Sequence, residues 1–367
     1  MTPQGARAST AAVWTALVTV YVVWGSTYLG IRVVVESDIP PLLGMGTRFL
    51  AASALLLGFL AVRRGIKALR PTRRELRAAT VVGVLLLLGG NGGVAVAEQT
   101  VPSGLAALIV GAVPLWFVLL RVAGGERPRA LTWWGVLVGF GGIAAISLPR
   151  GGIEGVEAWG VALVLLATVS WALGSYASPK LGLPRDPLVA TAYEMLTGGA
   201  VMTAVALAVG EGADLDLAAV PTEGYVAWIY LVLVGSLLGY TAYVFALAHA
   251  PLSLVGTYAY VNPVVAVTLG WLILAEPVTA VVVGGGALVV VGVALVVSGE
   301  RVPRRASADR ARTDRVGSTD RDGSRTDGES EPPEGGSGPR AVVTEEPQER
   351  AASLVGGEDW QTPGPSR

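Results

Sequence analysis

Up to Gly299 the chain alternates between long apolar runs and short polar breaks. Ten runs lie at roughly 12–31, 41–62, 78–97, 103–121, 131–148, 157–177, 188–209, 224–247, 253–274 and 279–298. Each is close to the about 20 residues that a helix needs to cross a bilayer. The third and fourth runs are nearly continuous, as are the eighth and ninth. Short kinks part them at Glu98 to Pro102 and Ala248 to Pro251, and proline favours a break at the residue before it. The first run has Trp24 and Tyr28 where a cleavage site would need small residues, so it is expected to stay as an uncleaved span.

The polar breaks carry charge of two kinds. With the N-terminus inside, the inner loops hold Arg63, Arg64, Lys67, Arg70, Arg73, Arg74, Arg77, Arg121, Arg127, Arg129, Lys180 and Arg185. The outer loops hold Arg32 and Arg150 beside Glu36, Asp38, Glu154, Glu157, Glu211, Asp214, Asp216 and Glu223. Basic loops stay on the cytoplasmic side, so the pattern predicts ten spans with both termini in the cytoplasm. The Arg-rich stretch from Arg63 to Arg77 reads as a topology determinant, and no nucleic-acid partner is expected. Beyond Gly299 the composition changes: 11 of the chain's 27 Lys+Arg and 14 of its 28 Asp+Glu lie there, among many Ser, Gly and Pro. A polar, low-complexity tail of this kind is expected to be disordered.

The runs also repeat. Pro102 and Pro251 are 149 positions apart, as are Pro114 and Pro263, while Glu126 and Glu276 are 150 apart. Trp24-Gly25-Ser26-Thr27-Tyr28 opens the first copy and Trp171-Ala172-Leu173-Gly174-Ser175-Tyr176 the second. The expected organisation is a first half at 1–150, a second at 151–299 and a cytoplasmic tail at 300–367. Five spans per half is an odd number, so the second copy must sit upside down. Two inverted membrane halves with a site between them are a plan for secondary transport.

Several polar residues fall inside the runs, where charge is costly and points to function. Arg48 lies in the second span and Glu194 in the seventh, at near-equivalent places 146 residues apart. One cation and one anion could face a common cavity and hold a zwitterion; a structural ion pair or snorkelling to the interface is the plain alternative. Glu98 ends the third span and could carry a coupling proton or touch substrate, against an ordinary interfacial place. Asn91 lies deeper and must find a hydrogen-bond partner. Asn262 precedes Pro263, where proline frees a carbonyl. Trp24, Tyr28, Trp171 and Tyr193 are candidate wall residues beside a cavity. Glu276 and Glu126 each precede the last span of a half, where a carboxylate suits a helix N-terminus. Gly139 to Gly142 is a small-residue patch for packing within the fold or for a dimer contact.

The chain lacks cysteine and has one histidine, His249. Disulfides, thiolate catalysis and a multi-histidine metal site are excluded. A phosphate loop with Lys-Ser/Thr is absent, as are His-Glu-x-x-His and Gly-x-Ser-x-Gly motifs. ATP-driven transport and the common intramembrane hydrolases therefore have no support, and no cofactor is expected.

Trp24-Gly25-Ser26-Thr27, Ile39-Pro40-Pro41 with Arg48-Phe49, the stretch Ala97 to Leu108 with Pro114-Leu115-Trp116, and Asn262-Pro263 to Glu276-Pro277 together resemble the EamA family of the drug/metabolite transporter superfamily over about residues 12–298. That resemblance implies an all-α integral membrane protein of ten transmembrane helices in two inverted five-helix repeats, with a central cavity and alternating access. It implies movement of a small metabolite, amino acid or drug, often outward. The second copy has Glu194-Met195 where the first has Arg48-Phe49, so the two halves are asymmetric at that place. The expected partners are a small-molecule substrate, membrane lipid and a proton as coupling ion, in a monomer or homodimer of the plasma or inner membrane. The rival readings are a membrane-embedded enzyme acting on lipid or isoprenoid, and a non-transporting scaffold or sensor that works through the tail. Clustered carboxylates, His or Ser-Lys that such an enzyme would need are not found.

Overall fold

The computed structural model describes residues 9–147, 156–213, 215–250, 255 and 257–300. The expected boundary at 150/151, Pro251 and the expected tail from 301 onward lie outside these residues. Among the described residues the protein is helical throughout, without a strand. Its ten main segments are α1 Thr10–Glu36, α2 Pro41–Arg64, α3 Arg73–Ala97, α4 Ser103–Ala123, α5 Ala130–Ser147, α6 Ala158–Ala177, α7 Pro187–Ala208, α8 Thr222–Ala246, α9 Tyr258–Leu274 and α10 Ala280–Glu300. Eight are long and apolar enough to cross a membrane; the apolar cores of α5 and α9, Ala130–Ala145 and Val261–Leu274, are shorter.

Local chemistry fixes where the helices start and stop. Ser9 caps α1 by accepting from the Ala12 amide at 3.2 Å. Thr72 and Glu75 close a reciprocal capping box at the start of α3, with bonds of 3.2 and 2.8 Å. Asp186 caps α7 through the Leu188 and Val189 amides at 2.9 and 3.4 Å, and its other oxygen pairs with Arg64 at the end of α2. Gly65, with φ of 78°, turns the chain out of α2. The predicted break between the third and fourth runs is present, with a turn at 98–102.

The helices pack in antiparallel pairs, and glycine sets the spacing. In α2 and α7, Gly46 meets Thr203, Gly199 meets the backbone of Gly46 and Leu50, and Ser53 Oγ donates to the Ala192 carbonyl at 2.8 Å. In α5 and α10, Gly135 and Gly142 lie against the backbone at Gly292 and Gly285, and Gly292 lies against Gly139. The small-residue patch at 139–142 is thus used largely inside the fold: Gly139 and Gly142 face Leu115 and α10, and only Gly141 has nothing near it. Helices that approach this closely gain dispersion contacts along their backbones, and in lipid packing of that sort drives association.

Two helices widen in the middle. In α3 the π-helical stretch is Val84–Gly92, and in α8 it is Leu231–Leu238, starting 147 residues later. Pattern reading does not predict either. π-Helical turns are rare and concentrate at functional places.

Gly292→Val should force the α5–α10 seam apart, at a cost of about 1–3 kcal/mol for an overpacked contact. Gly284→Val, on the exposed side of the same helix with nothing within 4 Å, should leave stability unchanged. Thermal unfolding of the two variants in detergent checks this; equal midpoints would contradict the seam.

Candidate substrate site

Arg48 and Glu194 each lie seven residues after the proline that begins their helix, Pro41 in α2 and Pro187 in α7. Because these helices run antiparallel with Gly199 set against the backbone of Gly46 and Leu50, the Arg48 position lies level with about residue 199, five or so residues from Glu194. At 1.5 Å per residue the two charges stand roughly 8 Å apart in depth. No ion pair joins them among the described residues.

Arg48 is 3% exposed. Its Nε donates to the Leu231 carbonyl at 3.2 Å and to Ser236 Oγ at 3.1 Å, both in the widened part of α8. Nη1 reaches Met45 Sδ at 3.5 Å, and the guanidinium lies 4.7 Å from the Phe49 ring centre. A backbone carbonyl and a hydroxyl, with no carboxylate, are therefore its polar partners among the described side chains. Gly235 makes room for the guanidinium, since a Cβ there would lie 3.2 Å from Nη2. Hydrogen bonds to a charged group are worth about 1.5–3 kcal/mol each, and an unmet buried charge costs more.

Beside Arg48 is an aromatic cluster centred on Trp24 of α1. The rings of Tyr240, Tyr243 and Tyr258 lie 5.4, 4.9 and 5.4 Å from that of Trp24, and Tyr243 and Tyr258 meet edge-on at 6.0 Å. All four residues are half-buried. Gly239 admits the indole: a Cβ there would sit 2.5 Å from Trp24 Nε1. Tyr240 is an electrostatic neighbour of both Glu194 and Arg48. Tyr258 is also an electrostatic neighbour of Tyr28, and Tyr28 of Glu98. Ser26 Oγ and Tyr230 OH share a 2.5 Å hydrogen bond at the edge of the group.

Four predicted residues therefore gather around this cluster: Arg48, Glu194, Trp24 and Tyr28. Trp171 and Asn91 lie at the widened part of α3. Trp171 packs on Gly90, and Asn91 Nδ2 reaches the Leu86 carbonyl at 3.5 Å. Nearby, Ser170 Oγ donates to the Leu85 carbonyl at 2.7 Å. Tyr193 stands apart; its hydroxyl donates to the Leu69 carbonyl at 2.9 Å in a cluster with Leu56, Leu60 and Leu69. Asn262 is buried, and with its amide nitrogen turned inward it donates to the Tyr258 and Tyr21 carbonyls at 3.1 and 3.2 Å, tying α9 to α1. Tyr240, Tyr243 and Tyr258 were missed as a set, because only the fold brings them to one tryptophan. A cavity of about 520 Å³ opens elsewhere, among Arg73, Arg74, Arg77 and Leu181. We place the chemistry at the aromatic cluster all the same, because that rim groove holds a row of exposed cations without a converging acceptor.

Glu98 lies in the turn after α3, beyond the span. It is completely buried, and neither carboxyl oxygen has a hydrogen-bond partner among the described residues. The side chain is therefore enclosed by protein. Arg32 donates to its backbone carbonyl and pairs with Glu36 at 2.6 Å. Burial pushes the carboxyl well above the usual range, Glu276 adds to this, and Arg32 opposes it. Glu276 itself accepts from the Ser103 and Gly104 amides at 2.8 and 3.0 Å. It thus caps the N-terminus of α4 rather than that of α10, which follows it; the dipole argument holds for a helix distant in sequence.

Two outcomes follow from this geometry. Gly239→Ala should displace the Trp24 indole and weaken ligand protection by about tenfold while costing on the order of 1–3 kcal/mol of stability, as read by thermal shift with and without amino acids. A carboxyl raised above its unfolded value of about 4.3 stabilises the fold in its protonated form. For Glu98 that contribution is complete below the unfolded value and is lost as pH rises toward the folded one, with a limiting slope of about 1.4 kcal/mol per pH unit. The unfolding midpoint of the protein should therefore fall between pH 5 and 8, and that of Glu98→Gln should fall less; parallel profiles would contradict the burial argument.

The sequence profile of the EamA-like transporter family matches residues 11–148 and again 158–298. An uncharacterized inner membrane transporter, YedA of Escherichia coli K12, is 44% identical over 257 residues, covering 70% of this chain and 80% of its own. A probable terminal-alkyne amino-acid exporter of Streptantibioticus cattleyicolor is 28% identical over 290 residues, covering 78% and 93%. A solved crystal structure of 21% identity, covering 78% of this chain and 96% of its own, superposes with a TM-score of 0.55 and so shares the fold. With two matched stretches over an apolar helical bundle, this multi-pass membrane transporter belongs to the EamA-like transporter family.

Proposed function

We propose that this transporter is a secondary exporter of a small amino acid or a similarly zwitterionic metabolite, working by alternating access. The observation that carries the reading is Tyr240, packed edge-on against Trp24 and an electrostatic neighbour of both Arg48 and Glu194. A substrate carboxylate would meet the guanidinium, its ammonium would meet Glu194, and its side chain would lie on the Trp24–Tyr243–Tyr258 rings. Aromatic faces also favour a cation. The relative named as a probable amino-acid exporter supports the same class.

In this reading the chain has ten spans in two inverted repeats, at 1–150 and 151–299, with a cytoplasmic tail at 300–367 and both termini inside. Three features support it. The second helix of each half packs antiparallel with its counterpart, and so does the fifth. The widened stretches fall at matching places in α3 and α8. The basic residues concentrate in alternate loops of a ten-span order. The driving force is a proton gradient or the substrate's own gradient, and the working unit is a monomer or homodimer. Arg48 would leave the Leu231 carbonyl for the substrate carboxylate, so substrate binding and rearrangement of α8 would be coupled.

Arg48→Ala should lower flux of labelled amino acids from proteoliposomes more than tenfold, with membrane insertion retained. Arg48→Lys should keep the charge yet lose most of the flux, since an ammonium lacks the planar fork. Normal flux in both variants would overturn the assignment. A thermal-shift screen against amino acids, nucleosides and cationic drugs tests the class, because a ligand of the folded state raises the unfolding midpoint.

A further inference from the structure

Glu98 is the one acidic side chain among the described residues that is both completely buried and without a partner on either oxygen. Such a carboxylate cannot stay charged in a packed interior at modest cost; it takes up a proton instead. Its surroundings hold no set of donors that would replace water. From α1, Tyr28 and Arg32 lie one helical turn apart toward it, and Glu36 follows a turn later. Past α9, Glu276 acts on it as a second negative charge, already engaged by the α4 amides. From α6, packed at Gly160 against Thr100 and Val101, no charged group is among those acting on it. Ser103, at the start of α4, has a buried hydroxyl that is likewise without a partner.

We propose that Glu98 is the coupling-proton site of this transporter, separate from the aromatic cage and linked to it through Tyr28. The carboxylate takes a proton from water when its end of the bundle opens, forming the neutral acid. The closed arrangement described above holds that acid. On the return step the O–H bond breaks and the proton leaves to water on the other side, with the carboxylate re-formed. Tyr28 is an electrostatic neighbour of both Glu98 and Tyr258, and Tyr258 packs edge-on against Trp24, so Glu98 borders the aromatic group. A sodium ion needs several converging oxygens, and among the described residues no three acidic or histidine side chains converge to hold a metal ion. A proton needs only the carboxyl. This inference rests on the transporter reading for its use, while the protonation itself can be measured without any substrate.

The test has two arms on the full chain in liposomes. The first is infrared difference spectroscopy of the wild type against Glu98→Gln and Glu98→Asp near neutral pH. A carboxylic acid C=O band present in the wild type, lost in Glu98→Gln and kept with a shift in Glu98→Asp supports the proposal. A spectrum unchanged by Glu98→Gln overturns it. The second arm measures flux of labelled amino acids under an imposed pH gradient and, separately, an imposed sodium gradient. Wild-type flux should rise with the pH gradient, Glu98→Asp should keep that response, and Glu98→Gln should lose it. A response to pH that survives in Glu98→Gln, or a response to sodium alone, overturns the proposal. If no amino acid moves in any variant, the substrate class fails, and the infrared arm still decides the proton site.

Discussion

A charged guanidinium inside a lipid-embedded bundle must be satisfied without water, and much of the central architecture follows from how Arg48 meets this demand. Among the described side chains it has no carboxylate partner. Instead it uses the Leu231 carbonyl and the Ser236 hydroxyl of α8. A regular α-helix has no spare carbonyl in its interior, because each is taken by the amide four residues on. The π-helical widening over Leu231–Leu238 loosens that arrangement and presents an acceptor to the side. Gly235, on the same stretch, leaves space for the head group. The widening, the glycine and the arginine are one device.

The other half has the same device with different chemistry. Its widened stretch, Val84–Gly92, offers the Leu85 and Leu86 carbonyls, and these are met by neutral donors, Ser170 and Asn91. Glu194 has the same offset from the start of α7 that Arg48 has from the start of α2, and the α3 carbonyls are met by Ser170 of α6 and by Asn91. A buried hydrogen-bonding defect in both halves, held by a charge in one and by neutral groups in the other, gives each half a different energy for rearranging.

Most of the scaffold was legible in the chain. The apolar runs, the turn at 98–102, and the equal offset of Arg48 and Glu194 from the start of their helices follow from length and spacing alone. The widened stretches were not, because periodicity carries no signal where all faces of a helix are apolar. The gathering of Tyr240, Tyr243 and Tyr258 on Trp24 was also hidden: it joins α1, α8 and α9, which are far apart in sequence. Glu98 and Glu276 show the same limit from two sides. By position Glu98 ends a span and should meet water, yet α1, α6 and the segment after α9 close over it. Glu276 precedes α10, yet the helix whose amides it accepts is α4.

The depth difference between Arg48 and Glu194 changes what a pair of intramembrane charges means here. Two opposite charges at one depth would neutralise each other and lock α2 to α7, and replacing both with apolar residues would then cost little. Set roughly 8 Å apart in depth, with no ion pair joining them among the described residues, they are two separate charged groups, and in the proposed mechanism Glu194 would serve as acceptor and Arg48, released from α8, as donor. The α2–α7 seam is held by Gly46, Gly199 and the Ser53 hydrogen bond instead. Because the seam does not depend on the charges, the proposed ligand contacts at Arg48 and Glu194 would leave the α2–α7 packing in place.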